Sequence, residues 1–204
     1  MGTRNLKHFQ KFLIMDYRCA NGGKRKKAKN FFIAYIYAKS KCKEKQIKKI
    51  YLKIMKWYIG NIEPEPNTIF VFGSNPEGRH GAGAAKVARE RFGAIYGRGE
   101  GIQGHAYAIP TKDLRVKENR GYRSITKENI ISSIRKFYAY AVQHPELDFK
   151  IAYRNVEKYS LNGYTGIEMI KMFHEAASDY NYEIPDNVYF SQEWWNYYYK
   201  FIKQ

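Results

Sequence analysis

Only two cysteines, Cys19 and Cys42, occur in the 204 residues. They stand 23 positions apart with no second pair to complete a zinc spacing, so no metal site is expected. Two unpaired thiols suit a reducing cytoplasm. Long apolar runs are also missing. The Phe31 to Ala38 stretch falls short of the roughly 18 residues a membrane-spanning helix needs. Basic residues stand near the start, but no apolar stretch is followed by a small-residue cleavage pattern, so a signal peptide is not expected. These absences predict a cytoplasmic protein that does not cross a membrane; no cofactor is expected.

Acidic residues are scarce in one region only. The formal net charge is +17, a value that ordinarily points to nucleic acid or an anionic surface. Residues 1 to 54 hold 16 of the 36 Lys and Arg but 2 of the 19 Asp and Glu, and so carry +14. The other 150 residues carry +3. The basic character therefore belongs to an extension over residues 1 to 54, and the domain proper spans 55 to 204. Three readings of the extension compete. It is a nucleic-acid-binding arm or membrane-surface helix, a solvated and partly disordered tail, or translated upstream sequence outside the natural protein. Met55 offers an alternative start. From Ser40 to Tyr58 the spacing of Ile47, Ile50, Tyr51 and Ile54 is compatible with a lysine-rich helix.

Within the domain, strands and helices alternate. Thr68 to Phe72 is a β-rich apolar run ending at glycine, which reads as a buried first strand. Gly81 to Phe92 places Ala84, Ala85, Ala88 and Phe92 at helical spacing, with Gly93 as a stop. Ala106 to Ile109 is a second strand, closed by Pro110. Thr126 caps a helix running to about His144, with Ile130, Ile131, Ile134, Tyr138 and Ala141 on its apolar face. Phe149 to Tyr153 is a third strand, Ile167 to Ala177 a helix, and Val188 to Phe190 a last strand. The order predicts a three-layer α/β/α domain with a mostly parallel mixed sheet. The aromatic tail, Trp194 to Phe201, is expected to pack over an edge of the sheet.

Chemistry concentrates in a glycine cluster between the first strand and the first helix: Gly73, Ser74, Asn75, Gly78, Arg79, Gly81, Ala82 and Gly83. Ligands of open α/β sheets bind at this place. Glycines let a backbone approach a phosphate, and a helix N-terminus offers free amides and a positive dipole end. Asn75 either contacts a ribose or sets the turn, and His80 is either a general base or a loop histidine. A second flexible loop, Gly163, Tyr164, Thr165 and Gly166, opens a later helix. Gly99 to Gly104 fits a Gly-x-Gly-x-x-Gly pattern but precedes a strand, so it reads as a turn-rich connection. No Walker lysine is present, since Ala84, Ala85 and Lys86 follow Gly83. Lys112, at the carboxyl end of the second strand, is a phosphate contact, a nucleophile or a surface lysine.

Taken together, Val71 to Asn75, Gly78 to Ala85, Gly93 to Gly97 and Tyr107 to Asp113 resemble macrodomains, the α/β modules that bind ADP-ribose. In particular, they resemble a phage-associated, macro-like group. The similarity covers residues 67 to 190 and is dense in the first half. It implies that the turn at Gly81 and Gly83 holds a diphosphate, that Asn75 contacts the distal ribose, and that ADP-ribose or a related nucleotide is the partner. It also implies a second reading. One macrodomain branch consists of ADP-ribosyl glycohydrolases whose lysine attacks the ribose, a role that falls on Lys112 here. That branch carries a resolving aspartate in its second loop, and residues 153 to 166 contain none. Binding is therefore better supported than turnover.

Overall fold

The computed structural model describes residues 57 to 153 and 158 to 201, with backbone only for the last three. All belong to the unit Met55–Gln204. The competing readings of residues 1 to 54 lie outside the described residues. The lysine-rich helix expected to reach Tyr58 does not include its last two positions. Trp57–Tyr58 is instead a strand, β1, so the domain's first strand precedes Thr68.

The remaining strands are β2 (Thr68–Ser74), β3 (Gly101–Gln103), β4 (Ala106–Pro110), β5 (Asp148–Ile151) and β6 (Val188–Ser191). The helices are α1 (Gly83–Arg91), α2 (Lys127–Gln143), α3 (Gly166–Ala176) and α4 (Gln192–Phe201). One six-stranded sheet runs β1-β6-β5-β2-β4-β3, and every pairing is parallel except β3 with β4. The architecture is α/β, three layers with a mostly parallel mixed sheet. The Gly99 to Gly104 segment, expected to be a turn-rich connection, contains the edge strand β3 in a hairpin with β4.

Alternation along the central strands divides the core. Ile69, Val71, Tyr107 and Ile109 face α2, α3 and the aromatic tail. Phe70, Phe72, Ala106 and Ala108 face α1 through Ala85, Ala88 and Phe92. Strand side chains point to opposite faces with period two, so this division follows directly from the sequence. Trp194, Trp195 and Tyr198 are buried beside Phe190 at the β6 end of the sheet, as expected for a tail packed over an edge. Trp194 is also sandwiched near Phe173 and Tyr153.

The handedness of parallel crossovers fixes which face each helix covers. The chain steps from β2 to β4 through α1, then reverses past β2 to reach β5 through α2, and continues to β6 through α3. A right-handed path in opposite directions places α1 on one face and α2 with α3 on the other. The Thr126 hydroxyl accepts from the Asn129 amide and starts α2. Gly93, at φ 72°, follows the end of α1.

Candidate functional site

Of the strands β2, β4 and β5, only β2 leads into α1. Its neighbours β4 and β5 lead to helices on the opposite face, so the connecting loops part around the carboxyl end of β2. Ligands of open α/β sheets lie in such crevices. The candidate site residues expected from the sequence lie at this end: Gly73 and Ser74 close β2, Asn75 to Gly83 lead into α1, Lys112 follows β4, and Gly163 to Gly166 lead into α3.

The first loop is built around its own side chains. The Asn75 amide group donates to the Arg79 carbonyl at 3.0 Å, and its Oδ1 accepts from the Arg79 N–H at 2.9 Å. Asn75 is buried and closes the turn, an Asx-type clamp. Gly78 donates to the Asn75 carbonyl and accepts from the Gly97 N–H, and a Cβ at Gly78 would collide with Arg98. Its backbone is therefore committed to the 97 to 99 segment. Arg79 is exposed. Ser74 is buried at the strand end, with its Oγ 3.2 Å from His80 Nε2. His80 is neither solvent-facing nor open to a substrate. Its ring lies buried and nearly perpendicular to the Phe72 ring, centroids 5.1 Å apart at 86°.

Beyond His80 the character changes, because Gly81, Ala82 and Gly83 are all exposed. Ala82 is the N-cap of α1, no side chain caps it, and the first turn holds no acidic residue. Among the described residues none accepts a hydrogen bond from the amides of Gly81 to Ala85. Gly83 sits at φ 56°, a conformation that side chains other than glycine resist. The result is a run of outward amides at the positive end of a helix dipole.

The loop before α3 stands against the first. A Cβ at Gly83 would lie 3.2 Å from Leu161 Cδ1. Unlike the amides of Gly81 to Ala85, those of Gly163 to Thr165 are occupied. Gly163 donates to the Ser160 carbonyl, Tyr164 to Asn162 Oδ1 and Thr165 to Glu168 Oε2. Thr165 and Glu168 form a full capping box on α3. The Tyr164 hydroxyl donates to the Ile125 carbonyl, and burial raises its pKa. Gly163 packs on Tyr122 and Arg123, and the Arg123 guanidinium bonds the Gly163 carbonyl and Glu168. Gly163 to Thr165 are thus held by their own hydrogen bonds, in the loop whose Leu161 stands beside Gly83.

No family model, curated protein or solved structure matches the chain. The site's own geometry therefore carries the functional argument.

Lys112 lies in the loop after β4, against Tyr122. It is half-buried, with its Nζ 5.0 Å from the centre of the Tyr122 ring and its Cε near Gly121. No described carboxylate forms an ion pair with it. The adjacent Asp113 is bound by Arg115 through Nε, Nη2 and the backbone amide, hydrogen bonds that hold its carboxyl well below the usual range. Arg115 also pairs with Glu77 at 3.0 Å. The Asp113 carboxylate is thereby occupied, while Glu77 Oε1 is buried without a hydrogen bond despite its contact with Arg115.

Sequence reasoning missed Tyr153. Its hydroxyl lies where a Cβ at Gly73 would fall, beside the Thr111 hydroxyl, and its ring stacks on Trp194 with centroids 5.1 Å apart. Burial pushes its pKa up to about 12, with the Thr111 hydroxyl acting the other way. Its place just past β5, at the carboxyl edge, was the available signal. Among the described residues no group of three His, Cys, Asp or Glu could hold a metal ion, and no helix is long and apolar enough to cross a membrane. A groove of about 360 Å³ lined by Pro145, Asp148, Asp186 and Tyr189 opens at the amino end of β5 and β6, away from this cluster.

Proposed function

We propose that the domain binds ADP-ribose or a related nucleotide, with the diphosphate on the amides from Gly81 to Ala85 and the Gly163 to Gly166 loop as the facing wall. One observation carries this reading. The uncapped, exposed N-terminus of α1 lies at the one place where the loops part, while the N-termini of α2 and α3 are capped by Thr126 and Thr165. Unclaimed amides at a helix N-terminus favour a bound anion. The exposed apolar groups Leu161 and Tyr122, 58% and 46% accessible, supply flanking surface of the kind a nucleoside covers. The proposal includes a cytoplasmic setting, in which Cys19 and Cys42 stay reduced.

Calorimetry of ADP-ribose with the full chain tests it. Heat of binding is expected for the wild type and at least a tenfold loss for Gly83→Glu, since that side chain places a carboxylate at the anion site and strains a left-handed position. No heat with the wild-type protein would refute it.

A second reading, ADP-ribosyl glycohydrolase activity through Lys112, is favoured by the unpaired ammonium over Tyr122. It requires release of ADP-ribose from a modified substrate that Lys112→Ala abolishes. Asp113, the carboxylate next to Lys112 in the chain, is held by Arg115 and so is not free to resolve a lysine adduct, and binding stands first.

A further inference from the structure

His80 is a titratable group that ligand binding, as proposed, does not use. Its ring is 0% exposed, and Nδ1 has no hydrogen-bond partner. The Ser74 hydroxyl has the Asn75 carbonyl as an acceptor at 3.4 Å. The consistent arrangement is Nε2–H donating to Ser74 Oγ, with Oγ–H turned to Asn75 and Nδ1 as a bare lone pair. In that tautomer the neutral ring is tolerated. A proton on Nδ1 would add a buried charge and a donor with no acceptor, a heavily penalised state.

The position of the contact matters as much as its chemistry. Ser74 is the last residue of β2, and His80 is the last buried residue before the exposed run from Gly81 to Gly83. Their bond closes an outer ring around the inner Asn75–Arg79 clamp. It therefore sets where the free amides begin.

We infer that His80 is the positioning residue of this turn and a pH-sensitive latch on it: neutral, it holds Gly81 to Gly83 in the anion-receiving geometry, and protonated, it lets go of Ser74 and releases the anion. The assignment of the ligand rests on the proposed function, but the latch itself does not. Around the ring, β2 offers the Phe72 ring and the Ser74 hydroxyl, and α1 offers Arg89, with no carboxylate among the charges acting on it. Burial first, and then the Arg89 charge, hold the imidazole below its ordinary pKa. The closed state is thus fully favoured above the ordinary value near 6.5 and loses ground as pH falls from there through the folded value. The limit is about tenfold per pH unit.

The sign separates this device from a simpler one. A protonated His80 lying against the diphosphate would tighten anion binding as pH falls, whereas a latch weakens it. The test uses the full chain between about pH 7.5 and pH 5, a range in which the diphosphate stays ionised. NMR follows the His80 ring carbons together with the amides of Gly81 to Ala85, and calorimetry measures ADP-ribose affinity at each pH. The amide shifts are expected to move with the ring, and wild-type affinity to fall by up to about tenfold per pH unit below the ordinary imidazole value. His80→Gln, which retains a donor toward Ser74, is expected to flatten that dependence. Amides that stay fixed while the ring titrates, or affinity that rises with acid, would overturn the latch. Absence of ADP-ribose binding at every pH would refute the binding reading alone, since the amide titration decides the latch without ligand. It also decides it if His80→Gln does not fold.

Discussion

Replacing Gly73 by alanine probes the floor of the crevice directly. The glycine is not in the left-handed region, so alanine is free of backbone strain there and gains about 0.4 to 1 kcal/mol by restricting the unfolded chain. Against that gain, the new Cβ collides with the Tyr153 hydroxyl and stands 3.0 Å from Thr111 Oγ1. Tyr153 must shift, disturbing its stack on Trp194. Overpacking of this kind costs about 1 to 3 kcal/mol, and a lost hydroxyl interaction costs about 1 kcal/mol. The net expectation is destabilisation by about 1 to 3 kcal/mol. Tyr153→Phe removes the colliding oxygen, and the ring carbon that bore it is 3.3 Å from the new Cβ, a tight but relaxable contact. The double variant Gly73→Ala/Tyr153→Phe should therefore be more stable than the sum of the single changes predicts, by about 1 to 2 kcal/mol. Urea unfolding of the four proteins, at matched slopes, measures the cycle. Strict additivity, or a Gly73→Ala protein as stable as wild type, would refute the idea that Tyr153 fixes the identity of residue 73.

Asn75→Ala leaves the Arg79 N–H and carbonyl without their partner and should lower stability by about 1 to 3 kcal/mol; an unchanged urea midpoint without ligand would show that the carboxamide does not hold the turn. Thr165→Ala removes the hydroxyl of the α3 capping box, a loss of about 0.5 to 2 kcal/mol, and circular dichroism during thermal unfolding should register it as a lower Tm. Burial alone would raise the Glu168 pKa, but the Thr165 amide, Arg123 and Lys127 together hold it below the usual value. Its contribution is present above the ordinary glutamate range and lost as pH falls through the folded value. Glu168→Gln should accordingly reduce the acid sensitivity of unfolding, and an acid transition identical to wild type would contradict this.

Much of the scaffold was legible because period-two and period-3.6 patterns report burial on one face. Thr126 announced its helix, since a hydroxyl before an apolar-periodic segment satisfies amides the helix leaves open, whereas Thr165, read from the sequence as part of a flexible loop, proved to be the cap of α3 only in the structure. The glycine cluster after β2 was visible for the same local reason. The small edges β1 and β3 were not, because two or three residues carry no periodic signal and pair only when the sheet exists. The roles inside the turn were also hidden. Asn75 was open between contacting a ribose and shaping the loop, and only the positions of the Arg79 N–H and carbonyl show its side chain closing the turn.

By itself, the sequence determined the longer strands β2, β4, β5 and β6, the start of α2, and that a glycine run precedes α1, because these depend on neighbours within a few positions. Only the tertiary structure decided that the run lies where the loops part around β2, that Tyr153 reaches back over Gly73, and that His80 is buried beneath the turn. Those facts depend on strand order and on contacts between residues far apart in the chain, which no local pattern encodes.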